Sequence, residues 1–152
     1  MDGAGVTPGL SPRKVTDFIA VHCSASVPDI KTDAKVIDRW HRQRGFFMIG
    51  YHYVIKTDGT IEKGRDEDSI GAHVEGYNAR SIGVCLVGGV DKEGKSVNNF
   101  SQDQMLSLLV VLKDLKKKYP LAVVQGHNEF PNVKKDCPCF SVKAWVKTVM
   151  NP

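Results

Sequence analysis

Leu121-Ala122-Val123-Val124-Gln125-Gly126-His127-Asn128-Glu129-Phe130-Pro131-Asn132-Val133-Lys134-Lys135-Asp136-Cys137-Pro138 is the stretch from which the rest of the chain is read. Its first half is a short apolar run ending at a glycine, the pattern of a buried strand over Ala122 to Gln125. Its second half is a loop punctuated by Pro131 and Pro138 that carries an imidazole (His127), an ammonium (Lys135) and a thiol (Cys137). A second apolar run, Phe18-Ile19-Ala20-Val21-His22-Cys23-Ser24, also delivers a histidine at its end. Asp17 to Cys23 is apolar on both faces, as suits a central strand.

Working outward, Thr32 or Asp33 can cap a helix running to Arg44, with Gly45 ending it. Val36, Ile37 and Trp40 form its inner stripe, and His41, Arg42 and Arg44 are expected to be solvated. Tyr51 to Lys56 and Thr60 to Glu62 flank Thr57-Asp58-Gly59 as a β-hairpin. A long polar loop, 63–80, leads into a buried strand over Ser81 to Val87. Ser101 and Gln104 have the spacing of a capping box. Behind them Met105, Leu108, Leu109, Leu112, Leu115 and Tyr119 repeat at helical spacing until Pro120. A last helix covers Ser141 to about Val149 with Trp145 inward. Alternating strands and helices with one hairpin predict an α/β fold: a single domain with a mixed central β-sheet flanked by helices.

Composition narrows the class. The 152 residues are 41% hydrophobic and 25% charged, enough for one core. Residues 1–14, rich in Gly and Pro, read as a flexible tail, which leaves 15–152 as the folded domain. No apolar run is long enough to span a bilayer, and Met1 to Leu10 lacks the pattern of a secretion signal, so a cytosolic origin without membrane insertion is expected. The formal charge of +4 is a mild bias toward polyanions, but no dense basic block with interleaved aromatics favours nucleic acid. Four cysteines in such a chain point to thiols or metal ligands, with Cys23 and Cys85 in apolar runs as buried thiols.

His22, His127 and Cys137 are the candidate ligands of one zinc ion. Catalytic zinc takes three protein ligands and leaves a position for water. Lys135 and Tyr51 are the candidates to support chemistry there, at an oxyanion and a leaving group. Spacing alone leaves each residue open to a second reading: His22 as a hydrogen-bonded core histidine, Lys135 as a solvated loop lysine, Tyr51 as a half-buried strand tyrosine.

Several segments in one order add to this reading. They are Val21-His22-Cys23-Ser24-Ala25, Trp40-His41, Gly50-Tyr51-His52-Tyr53 through Asp58-Gly59, Gly71-Ala72-His73 through Tyr77-Asn78, Ser81-Ile82-Gly83-Val84-Cys85, and Gly126-His127 with Cys137-Pro138. Together they resemble the type 2 family of zinc N-acetylmuramoyl-L-alanine amidases, related to peptidoglycan-recognition proteins. The resemblance covers the chain from about Asp17 to the final helix. It implies one zinc per chain on His22, His127 and Cys137, with Tyr51 beside the metal and Lys135 stabilising the oxyanion. It also implies that His73 and Asn78 line the substrate groove; His52 is read either as cleft-facing or as a hydrogen-bonded strand histidine. The implied substrate is peptidoglycan, cut between N-acetylmuramic acid and L-alanine by a monomer. A phage endolysin of this kind waits in the host cytoplasm and reaches the wall through holin lesions. One phage member also inhibits its RNA polymerase, so that enzyme is carried as a second implied partner. Peptidoglycan binding without turnover is a further alternative within the family. Cys137-Pro138-Cys139 raises a question of register, resolved for Cys137 because its Cys-Pro pair matches.

Overall fold

A computed structural model describes residues 5–150. Five strands, β1 (Phe18–Cys23), β2 (Tyr53–Ile55), β3 (Ile61–Lys63), β4 (Ser81–Leu86) and β5 (Val123–Gly126), form one sheet in the order β3-β2-β4-β1-β5. β1 runs parallel to both β4 and β5, β2 runs parallel to β4, and β3 is antiparallel to β2. The sheet is therefore mixed, and the predicted α/β architecture is what the chain adopts.

Side-chain alternation divides the sheet into two faces. Ile19, Val21, Tyr53, Ile55, Val84 and Leu86 meet α2 (Gln102–Lys118) and α3 (Val142–Val149) on one of them. Leu108, Leu112 and Leu115 of α2 are fully buried there, each stabilising the fold by about 1.5–3 kcal/mol relative to exposure. On the other face Val54 and Cys85 pack with Ile37 of α1 (Ala34–Gln43). His22 pairs in register with Cys85, so its side chain belongs to this second face.

The helices start where their caps require. Asp33 accepts from the Val36 N–H at 3.0 Å and begins α1. At α2 both arms of the capping box are made: Gln104 N–H donates to Ser101 Oγ at 3.0 Å, and Ser101 N–H to Gln104 Oε1 at 2.9 Å. The buried Gln104 amide then donates to the carbonyls of Ile55 and Val87, fastening α2 to the ends of β2 and β4.

Three expectations need correction. Strand β2 begins at Tyr53 rather than Tyr51. His41 is buried, not solvated; it lies one turn beyond Ile37, and its Nδ1 accepts the Gly50 N–H at 2.9 Å. Only Arg42 and Arg44 of that group are exposed. From Gly5 onward the N-terminal segment is also not a loose tail. Thr7 N–H donates to Ser69 Oγ at 2.7 Å, Ile70 N–H to the Ser11 carbonyl at 2.9 Å, and the Arg13 guanidinium to the carbonyls of Glu67 and Ser69. Pro and Gly there serve a strap closed by backbone hydrogen bonds, which composition alone does not distinguish from disorder. Met1 to Ala4 lie outside the described residues.

Gln104→Ala removes one arm of the capping box and the amide donor to the buried Val87 carbonyl, while the Ile55 carbonyl keeps the Val87 N–H. We expect a loss of about 2–4 kcal/mol, read as a lower urea midpoint with unchanged slope. An unshifted midpoint would contradict this account of how α2 is anchored.

Candidate metal centre and active-site cleft

The register of β1 against β5 builds the first half of the site. Val21 pairs with Gly126, so the following residues, His22 and His127, emerge side by side at the carboxyl ends of two parallel strands. Their rings lie 4.6 Å apart, centroid to centroid. Crevices at such strand ends are where open α/β sheets bind ligands.

Cys137 is brought in by its loop. Asn128 N–H donates to the Cys137 carbonyl at 2.9 Å, and the Asn128 amide donates to the Asp136 and Phe140 carbonyls at 3.3 Å each. Cys137 Sγ accepts the Cys23 N–H at 3.0 Å and donates to the Cys23 carbonyl at 3.7 Å, which ties the thiol to the end of β1. The result is a group of His22, His127 and Cys137 whose donor atoms lie within 4.8 Å of one another. All three line a cleft of about 950 Å³, so the group has an open side.

The chemistry of this donor set fits a divalent cation of intermediate softness. Burial holds His22 well below the usual histidine range, assisted by the neighbouring His73 and His127. Burial, with the Lys135 charge, also lowers His127. Both imidazoles are therefore neutral at pH 7, as ligation requires. All four cysteines are free thiols. Cys139 does not join the group: it adopts φ 73° and directs its thiol to the Gly89 carbonyl at 3.4 Å. Burial pushes that thiol up to about 11.

Tyr51 sits where the sequence suggested, its ring 5.0 Å from His22, and burial raises its hydroxyl well above the usual range. Lys135 is exposed and lines the same cleft. Asn78 lines it as well, but its Oδ1 accepts the N–H groups of His73 and Val74 at 2.8 and 2.9 Å and so braces the loop. His73 lines the cleft and also contacts His22, ring nitrogen to ring nitrogen at 2.9 Å.

His52 does not face the cleft. It is completely buried, its Nδ1 accepting the Gly83 N–H at 3.0 Å and its Nε2 2.7 Å from the Ser69 carbonyl. His52 and Tyr51 both precede β2, and these two backbone partners hold the His52 ring in the interior while Tyr51 packs with Val54 and Ile37 on the cleft side. Two contributors escaped the sequence reading. Asn128 is one, and its position next to His127 was the available signal. The other is His41, packed 5.2 Å from Tyr51 and readable only from its spacing of four from Ile37.

The fold is thus a mixed α/β sheet that carries, at its carboxyl edge, a two-histidine, one-cysteine group able to hold a metal ion. The N-acetylmuramoyl-L-alanine amidase family matches residues 11–140, and the chain belongs to that family. It is 48% identical over 133 residues to the endolysin of Escherichia phage T7, covering 88% of this chain and 87% of the relative. It is 44% identical over 136 residues to the endolysin of Enterobacteria phage K11, covering 90% and 89%. Among solved structures, an endolysin N-acetylmuramoyl-L-alanine amidase from Clostridium intestinale superposes with a TM-score of 0.78 at 29% identity, over 97% of this chain and 91% of the other. Drosophila PGRP-LB shares the fold, with a TM-score of 0.75 at 21% identity over 97% and 89%.

Burial lowers both His41 and His52 to about 4. Each stays neutral in the folded protein while its unfolded counterpart takes up a proton near pH 6.5. Their contribution is thus present above about pH 6.5 and is lost as pH falls from there toward 4. In urea titrations of metal-free protein, His52→Gln should flatten the stability slope near pH 5 by about 1.4 kcal/mol per pH unit. An unchanged slope would show that His52 titrates alike in both states.

Proposed function

We propose that this chain is a zinc-dependent endolysin that hydrolyses the amide between N-acetylmuramic acid and L-alanine of peptidoglycan. The convergence of His22, His127 and Cys137 at the floor of an open cleft carries this reading. Family membership and the endolysin relatives supply its reaction class and setting. On this reading the enzyme meets its substrate once host lysis admits it to the wall.

Zinc bound by these three side chains would polarise the scissile carbonyl and acidify a water. The chain's own groups do the rest. His22 and His127 stay neutral through burial, and Cys137 is oriented by the Cys23 N–H. Tyr51 is protonated, so beside His22 its hydroxyl donates to a developing oxyanion and is not a base. Lys135 brings a positive charge to the same cleft from a loop free of the sheet. Trp40, Phe46 and Tyr77 also line the cleft and offer apolar ring faces to the substrate.

The decisive measurement combines metal content with product analysis. Wild-type protein should bind one zinc, release new L-alanine amino termini from peptidoglycan, lose this with a chelator and regain it with zinc. Cys137→Ser should lose the metal. Lys135→Ala should keep the metal while kcat falls about 10²–10³-fold. New sugar reducing ends without amino termini, or full activity after zinc removal, would reject the proposal.

A further inference from the structure

The site's hydrogen bonds continue past His22 into a chain that the amidase reading does not use. We propose that Ser81 and His73 are positioning residues that fix the tautomer of His22, placing its proton on Nε2 and leaving Nδ1 as the metal-facing lone pair. This rests on the zinc reading above for its last step only.

The Ser81 hydroxyl donates to the Tyr77 carbonyl at 2.8 Å. A hydroxyl has one proton, so toward His73 Nε2, 3.3 Å away, Ser81 Oγ can only accept. His73 Nε2 therefore carries hydrogen. The His73 ring is packed between the imidazoles of His22 and His52, surroundings that suit its uncharged form, so its Nδ1 is bare. That bare nitrogen lies 2.9 Å from His22 Nε2, and two lone pairs at that distance repel, so His22 Nε2 must donate. A ligating imidazole is neutral, so with Nε2 donating to His73 the free lone pair of His22 is on Nδ1.

The His73 ring has little freedom to undo this. A Cβ at Gly83 would stand 2.7 Å from His73 Cγ, and one at Gly71 would stand 2.7 Å from its Cδ2. The ring thus occupies a slot that these two glycines leave open, while Asn78 holds its backbone N–H. Ligating histidines generally donate their second N–H to an acceptor that sets ring orientation and basicity. Here the acceptor is an imidazole whose own tautomer is set by a serine.

Long-range proton–nitrogen spectra of the metal-free protein read the tautomers directly. Both His22 and His73 should be protonated at Nε2, and Ser81→Ala should shift His73 toward a mixture. By chelator competition, His73→Phe should weaken zinc binding about 10–100-fold. His73→Gln, whose carbonyl can accept from His22 Nε2, should recover most of that loss. The melting temperature of each metal-free variant separates lost positioning from lost folding, and Ser81→Ala stands in should His73→Phe not fold. Hydrogen on His73 Nδ1 in the wild type would overturn the proposal. So would unaltered zinc affinity in folded His73→Phe when His22→Ala loses the metal. Should His22→Ala instead retain zinc, the zinc reading falls and the metal-free spectrum still decides the tautomer chain.

Discussion

The parallel pairing of β1 with β5 is the constraint on which the site depends. These strands are separated by about a hundred residues of chain, yet their register sets Val21 opposite Gly126. Because β5 ends there and β1 only two residues further on, His22 and His127 project together at one edge of the sheet. A slip of one residue would turn His22 to the face occupied by α2 and α3. The apolar residues of β1 resist that slip: Ile19 and Val21 are completely buried against those helices. Core packing thereby places the two imidazoles.

The third donor is held by different physics. Cys137 lies outside regular secondary structure, on a loop whose near end is anchored by Phe130 and Val133 against Ala20 and Val74. Its place is set by polar contacts: Asn128 to the carbonyls of Asp136, Cys137 and Phe140, and the Cys23 N–H to the sulfur. The same loop leaves Lys134 and Lys135 exposed at the cleft. Rigid strands thus supply the histidines while a braced loop supplies the cysteine and the cation. Such a division lets the loop vary in length without disturbing the sheet.

Behind the site, burial keeps a series of histidines neutral. His22, His41, His52 and His73 are each lowered chiefly by desolvation. Their roles diverge through their partners. His41 and His52 accept backbone N–H groups from Gly50 and Gly83, and so fasten the segment before β2 to α1 and to β4. His73 faces another imidazole and transmits a hydrogen-bond polarity to it. Residue type and burial are shared; the direction of the neighbouring donor or acceptor separates the histidines that brace the backbone from the one that faces His22.

What the sequence determined by itself was the set of elements and the identity of the donors. Apolar runs, the Ser101–Gln104 box, the Asp58-Gly59 turn and the helical spacing of α2 are local signals, and each appears in the fold close to where it was read. The motif around Gly126-His127 and Cys137-Pro138 was legible for the same reason, since it lies in one contiguous loop. What only the tertiary structure decided were the directions of side chains and the partners of polar groups. His52 follows Tyr51 in sequence, but on the segment before β2 its ring turns into the core, where the Gly83 N–H and the Ser69 carbonyl meet it. His41 looked solvated because its neighbours are arginines, whereas its spacing from Ile37 buries it. The strap over 5–14 has a disordered composition but gains order from backbone groups in 65–70, which no local pattern encodes. Hydrogen-bond partners across long sequence distances are chosen by packing, and packing exists only once the chain has folded.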